Sequence, residues 1–454
     1  MGVTKKSKYL YLGLATTVMA GMLSACGGNS NDSSNSGNTN NAAQSNNAGS
    51  TQEKVNLRMI ESLTSPARTE LLKASIKRFE DANPNITVEL ISPPFDQADN
   101  KIRTMLGAGE DLDVLEVRDL TINEDVTNGY VENLEPYASK WADYATVSQA
   151  AKTVASIADK PYFIANGMYE RQMFYRKDWF DAAGLAAPKT WEDVYNAGKK
   201  LTDPSKNHYG FSFRGGPGGN GYVDAIAQSY NGTNLDEADG HFLKDGKTSI
   251  YGTPEAKAAL ELYQKIFKDT APADSINWGF AEQVQAFTSG VTAMLMQDPD
   301  VIGVLNEKME KGTWASTFLP VGPTGKTFYG IGAAGWGMTS FSKHKDEAWK
   351  LIEFLSSPAE NTAFCKAFGL LPIHSSASED PVFQEGPYAT LLEMNTKPED
   401  YIPLKPNYSY TEIGDWGDVV MKNTQAWLLG QASLDDTLKI LDKYWQDQKA
   451  KLAK

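Results

Sequence analysis

Residues 161–201 read PYFIANGMYERQMFYRKDWFDAAGLAAPKTWEDVYNAGKKL, and the rest of the chain can be placed around them. Met168 to Tyr175 is apolar and aromatic enough to predict a strand. A short helix follows over Asp178–Ala183, and Gly184 ends it as a C′ residue. Pro188 breaks the chain. Thr190 then reads as an N-cap, with Asp193 three residues on in a capping-box position. Trp191, Val194, Tyr195, Ala197 and Gly198 form one apolar stripe at helical spacing.

Upstream, strands and helices alternate. Val55–Ile60 is a strand. Ser65-Pro66 opens a helix whose stripe is Leu72, Ile76 and Phe79, and Asn83-Pro84 stops it. Ile86–Ile91 is the next strand, Asp96–Leu106 a helix closed by Gly107, and Asp113–Val117 a third strand. Such alternation implies a parallel sheet with right-handed crossovers. Ligands of open parallel sheets bind beyond the carboxyl ends of the strands. Glu61 and Ser62, Pro93 to Asp96, and Arg118 and Asp119 fall there, and they are candidate site residues.

Downstream, Tyr209-Gly-Phe-Ser-Phe-Arg-Gly-Gly-Pro-Gly-Gly-Asn-Gly-Tyr222 is a strand followed by a glycine-rich loop and a helix. It lacks the GxxxxGK[ST] spacing and lysine of a nucleotide loop. Arg214 and Gly216 are candidates for a loop that donates N–H groups to a polar ligand. Asp239-Gly240 and Asp245-Gly246 suggest a small hairpin, and the acidic residues beside them do not follow the EF-hand pattern. Ala281–Thr288 is a helix, Ala293–Gln297 a buried strand, and Asp298-Pro299-Asp300 its exit. Phe328 to Met338 is glycine-rich and strand-like. Helices are predicted over Asp346–Leu355, Ala359–Phe368, Trp416–Leu429 and Leu434–Leu452.

The N-terminus is a targeting segment. Lys5, Lys6 and Lys8 precede an apolar run, Tyr9 to Met22, too short for a comfortable membrane span. Leu23-Ser24-Ala25-Cys26 then resembles the lipobox of bacterial lipoproteins, which implies cleavage before Cys26 and lipidation of its sulfur. Gly27 to Gln52 is nearly all Asn, Ser, Gly, Ala, Thr and Gln, a composition with nothing to bury. As a flexible tether of about 25 residues it would span roughly 25–30 Å. The formal charge of −14 argues against nucleic acid as a partner. Cys365, the one other cysteine, sits in a helical pattern and reads as a buried small hydrophobe. The four histidines are isolated, and no GxSxG, SxxK or HExxH occurs, so neither a catalytic constellation nor a metal or cofactor site is expected.

The run of aromatic strand, Tyr-Arg-Lys-Asp, Ala-Gly-Leu and Pro-Lys-Thr-Trp-Glu-Asp resembles the extracellular solute-binding proteins of ABC importers, relatives of maltose-binding protein. Phe287-Thr-Ser-Gly-Val-Thr-Ala-Met-Leu-Met is similar to a second signature of that family. The likeness covers roughly Lys54 to Lys454. It implies an α/β chain with a type II periplasmic-binding-protein fold: two lobes, a cleft and a hinge. The lobes would be 54–169 with 332–381, and 170–331 with 382–454, after a signal peptide (1–25) and a tether (26–53). The crossings would fall near Tyr169, Gly332 and Pro381. The resemblance places polar cleft residues at Arg118 and Asp119, and it puts Tyr169 on a strand lining the cleft. Where relatives carry a stacking aromatic, this chain has Asp298-Pro-Asp, so Asp298 is expected to accept hydroxyl hydrogen bonds instead. Trp336 and Trp416 are the stacking candidates.

The expected function is capture of a carbohydrate, foremost an oligosaccharide, by a monomer anchored at a Gram-positive cell surface, and delivery to a membrane permease. A polyol, a phosphodiester or an anionic sugar is an alternative ligand, the last if Arg118, Arg171 and Arg214 cluster. A lipid-anchored polysaccharide-degrading enzyme is the competing reading, and a partner of a sensing receptor is another.

Overall fold

The computed structural model describes residues 53–394, 397, 399–404, 407, 409, 410 and 414–452. The targeting segment, Cys26 and the tether lie outside them. Val55–Ile60 lies at the centre of the early alternation. It pairs in parallel with Ile86–Ile91 along its whole length and with Val114–Arg118 through Met59 and Ile60. The helix between the first two strands, Pro66–Ala82, starts at the Ser65 N-cap and buries Leu72, Ile76 and Phe79. Two later strands complete this sheet. Gly332–Met338 inserts antiparallel between Val114–Arg118 and Phe163–Tyr169, giving five strands.

A second sheet of four strands belongs to the other lobe. Its order is Ala315–Thr317, Gln172–Tyr175, Thr292–Gln297 and Tyr209–Phe211. Thr292–Gln297 is buried at every position, as a strand covered on both faces should be. Trp191–Leu201 packs on this sheet, held at its start by the Thr190–Asp193 capping box. Both sheets lie in one compact unit, Gln52–Lys454.

Two predicted strands are each divided. Met168–Tyr175 breaks at Glu170–Arg171, because Tyr169 still pairs with Gly332 while Gln172 already pairs with Gln297 in the other sheet. Phe328–Met338 breaks at Ile331 for the same reason. Thr327–Gly330 pairs with Tyr401–Leu404, and Gly332 begins the return to the first sheet. The second helix runs through Gly107 and ends at Gly109, whose φ of 60° supplies the left-handed cap. The stretch with the two Asp-Gly turns forms isolated bridges, Leu235 to Leu243 and Phe242 to Ser249, rather than strands. Residues 381–394 are a 3-10 turn, Pro381–Gln384, and a helix, Gly386–Met394.

The tightest helix-on-sheet approach is made by two glycines. A Cβ on Gly210 would lie 2.2 Å from the Gly198 Cα, backbone against backbone. Neither element can move aside without unseating the sheet beneath it. Gly210→Ala is therefore expected to cost about 3 kcal/mol, the upper end for overpacking, as a lower urea midpoint. Gly246→Ala, at a positive φ but in open space, should cost only about 1 kcal/mol.

Candidate functional site

The strand ends of the two sheets face each other where the chain passes between them. From the first sheet come Asp119, after Val114–Arg118, and Tyr169, at the end of its strand. They are neighbours: the Asp119 N–H donates to the Ala333 carbonyl at 3.0 Å, and Gly332 pairs with Tyr169. A Cβ on Gly332 would sit 3.4 Å from Asp119 Oδ2. From the second sheet come Arg171 and Gln172, then Asp298 and Asp300 after Thr292–Gln297. Arg214 arrives from the glycine-rich loop.

These groups feel one another electrostatically. Burial raises the Asp119 carboxyl to about 6, with the Asp298 charge adding to the rise and Arg118 opposing it. Burial also raises Asp300 to about 8, again reinforced by Asp298 and opposed by Arg214 and Arg68. Asp119 and Arg68 belong to the first lobe, and Asp298 and Asp300 to the second, so these couplings cross the gap. Arg171 Nε lies 3.4 Å from Asp298 Oδ1, an ion-pair distance without hydrogen-bond alignment. Its guanidinium stands over the Tyr222 ring, 5.4 Å from the centroid. Burial works against the Arg171 charge, but Asp298 and its neighbours outweigh it. Several buried polar atoms here have no hydrogen-bond partner among the described residues. They include the Tyr169 hydroxyl, the Gln172 amide, Asp300 Oδ1 and Asn166 Oδ1.

Behind the first lobe's wall lies a buried ion network. Arg68 Nη1 bonds Glu61 Oε2 at 3.0 Å, and Nη2 bonds Glu116 Oε1. Glu116 also accepts from the Ser62 N–H at 2.8 Å, the Ser62 hydroxyl at 3.1 Å, the Leu63 N–H at 3.0 Å and the Asn166 amide at 2.6 Å. Burial favours neutral Glu116, yet Arg68 and these donors hold its carboxyl below the usual range.

The sequence candidates therefore divide. Asp119, Tyr169, Arg214 and Asp298 meet at the gap. Glu61 and Ser62 are fully buried, and their side chains are engaged within the network behind it. Trp336 is 2% exposed and lies beneath Arg68, 5.8 Å from ring centroid to guanidinium carbon, so it offers no open face for stacking. Arg118 is taken by Asp99 at 2.8 Å. The Gly216 N–H donates to the Trp278 carbonyl at 3.0 Å instead of pointing into the gap. Trp416 packs among Tyr251, Tyr444 and Trp445, and its indole N–H donates to Asp224 at 3.1 Å. It buttresses the site through Asp224, which burial raises to about 6 and the Arg171 charge draws down.

Arg68, Glu116, Asn166, Tyr222 and Asp300 were not among the candidates. One signal was available for Arg68. It stands four and eight residues before Leu72 and Ile76, on the helix face that is buried.

A family model for bacterial extracellular solute-binding proteins matches residues 65–362. The chain belongs to that family. It is 25% identical over 379 residues to a putative binding protein of Brucella abortus, spanning 83% of this chain and 88% of the relative. It is 24% identical over 384 residues to the mannitol-binding protein of Pseudomonas aeruginosa, 80% of this chain and 86% of the relative. Among solved structures it resembles maltose-bound T. maritima MalE3, with a TM-score of 0.76 and 23% identity over 87% of this chain and 99% of that one. A solute-binding protein of Agrobacterium vitis with bound D-mannitol aligns with a TM-score of 0.72 and 21% identity, over 88% and 99% of the two chains. The fold is thus that of the two-lobe binding proteins.

The raised Asp300 carboxyl gives stability a slope. The folded chain keeps a proton up to about pH 8 that the unfolded chain releases near the ordinary aspartate value of 3.8. Stability from this group therefore falls as pH rises through that window. Asp300→Asn removes the slope. Its melting temperature should gain on the wild type between pH 4 and pH 8, as followed by calorimetry at several pH values, and a constant difference would contradict the assignment.

Proposed function

We propose that this protein is the ligand-capturing component of an ABC importer for a carbohydrate, held to the outer face of a cell membrane by lipid on Cys26. The lobes are 54–169 with 332–381, and 170–331 with 382–454, and the proposed contacts are Asp119, Tyr169, Arg171, Arg214, Asp298 and Asp300. One observation carries the reading. At the meeting of the two sheets, carboxyl, hydroxyl, amide and guanidinium groups are brought together from both lobes, and several of their atoms lack partners among the described residues. Alternating donors and acceptors on two opposed walls suit a molecule covered in hydroxyl groups. The mannitol-binding relative and a 25% identical multiple sugar-binding protein of Streptococcus mutans, aligned over 63% of this chain, support the same class.

Contacts from both lobes favour the closed form over the open one, so the ligand drives hinge closure. The closed form is the one a permease would recognise. The protein acts as a monomer and breaks no bond in its ligand.

Mannitol, maltose and maltotriose form a first panel. A captured member should raise the melting temperature by a few degrees at a hundredfold excess over its Kd. It should also shrink the radius of gyration measured by X-ray scattering; unchanged dimensions at saturation would refute closure. New reducing ends from a polysaccharide incubated with purified protein would favour the hydrolase reading instead. For the anchor, Cys26→Ser should move the protein from the membrane fraction to the medium, seen by blotting both.

A further inference from the structure

Within the carbohydrate reading on which this inference rests, we propose that Arg171 and Arg214 form an anion clamp and that the captured carbohydrate is a sugar acid carrying one carboxylate.

The glycine-rich loop provides the seat. A Cβ on Gly218 would lie 2.3 Å from Arg214 Nη2, and one on Gly221 would lie 2.7 Å from Arg171 Nη1. The loop's glycines therefore make room for two guanidinium groups instead of presenting N–H groups to a ligand. Arg214 is held by one bond, Nε to the Pro217 carbonyl at 2.7 Å, which leaves the two outer nitrogens of its fork directed away from that anchor. Both arginines act on the same neighbours, Tyr222, Asp298 and Asp300.

The guanidinium groups near the gap are not all paired with carboxylates among the described residues. Arg68 is occupied by Glu61 and Glu116, and Arg118 by Asp99. The remaining arginines, 171 and 214, have one close carboxylate between them, Asp298, and it is an ion-pair partner of Arg171 only. Asp300 supplies little countercharge at neutral pH, because its carboxyl is raised to about 8. Arg214 is held below its usual value by burial, with the charge of Arg171 adding to the effect. With Asp298 against Arg171, the Arg214 fork is left without a carboxylate partner among the described residues. A guanidinium fork binds a carboxylate through paired charge-assisted hydrogen bonds, so one ligand carboxylate supplies that partner.

Calorimetric titration of the purified protein at pH 7 with matched pairs tests this: D-galacturonate against D-galactose and D-glucuronate against D-glucose, with inorganic sulfate alone as a control. In at least one pair the acid should bind about tenfold or more tighter than its neutral partner. Arg214→Gln should bring the ratio of acid to neutral affinity down to about one, whatever it does to the neutral sugar's own affinity. Gly221→Ala, which keeps every charge and sits in a helix, should weaken the acid by displacing the Arg171 fork; it also serves if Arg214→Gln fails to fold. Neutral sugars binding as well as or better than the acids would overturn the sugar acid and leave the carbohydrate reading standing. Sulfate binding as tightly as the acids would overturn the sugar's part in recognition. Binding by no member of any pair counts against both readings.

Discussion

The Arg68 guanidinium, shared between Glu61 and Glu116, is the contact on which the first wall of the site rests. Glu116 lies inside a strand, and it gathers the end of Val55–Ile60, the start of the Pro66–Ala82 helix and Asn166 of the crossing strand. Phe364 and Phe368, with guanidinium-to-centroid distances of 5.4 and 5.5 Å, and Trp336 enclose the cation in aromatic rings. An ion pair this deep is weak evidence of stabilisation, because desolvation offsets much of the attraction. Its contribution is geometrical. Removing any one member would leave a buried charge uncompensated, so the four segments hold one arrangement. Asp119 and Tyr169 stand on that arrangement.

The second wall is built differently. Tyr222 bonds the Met296 carbonyl and Gln283, and Gln283 in turn bonds the Ser212 carbonyl at 2.6 Å and accepts from Gln297 at 3.1 Å. These neutral contacts lock the exit of Thr292–Gln297 to the root of the glycine-rich loop. The charged groups then sit on a neutral scaffold: Arg171 over Tyr222, Asp298 and Asp300 beyond the strand, Arg214 on its glycines. One lobe positions its site residues through a buried ion network, the other through amide and phenol hydrogen bonds. The first lobe's charged groups are bonded to one another; the second leaves the Arg214 fork without a carboxylate partner among the described residues.

Local signals made the elements readable. Leu72, Ile76 and Phe79 lie on one helix face, Ser65, Thr190, Thr253 and Ser357 cap helices, and the strands around Val55 and Ile86 alternate with helices as a parallel sheet requires. The family resemblance brought the two-lobe plan with it. What stayed hidden was set by distant partners. The resemblance put a crossing near Tyr169, but nothing in Tyr169-Glu-Arg-Gln172 itself says that the strand breaks there, because the strand that receives Gln172 ends at Gln297. Trp336 reads the same whether its ring lies under Arg68 or opens to the gap; the register against Glu116 and Ile164 decides. Gly216 and Gly218 share a loop, yet one is bonded within the lobe and the other accommodates a guanidinium, a difference of backbone direction alone.

The two walls together explain why closure should wait for a ligand. The Tyr169 hydroxyl, the Gln172 amide and Asp300 Oδ1 are buried without partners among the described residues. Each buried polar atom left unsatisfied costs about 1–3 kcal/mol. Bringing the lobes together therefore carries a penalty of several kcal/mol unless something between them supplies hydrogen bonds. Asp119 and Asp298 would add to it, since the Asp298 charge already works against ionised Asp119 in this structure. In an open form the same groups would face water and the penalty would vanish. A hydroxyl-bearing molecule in the gap would replace that water, so the binding energy it provides would be largest in the closed form. On the proposed reading, the polar groups that make closing alone unfavourable are the ones that would make closing on a guest favourable, and a single set of residues would serve both recognition and the hinge.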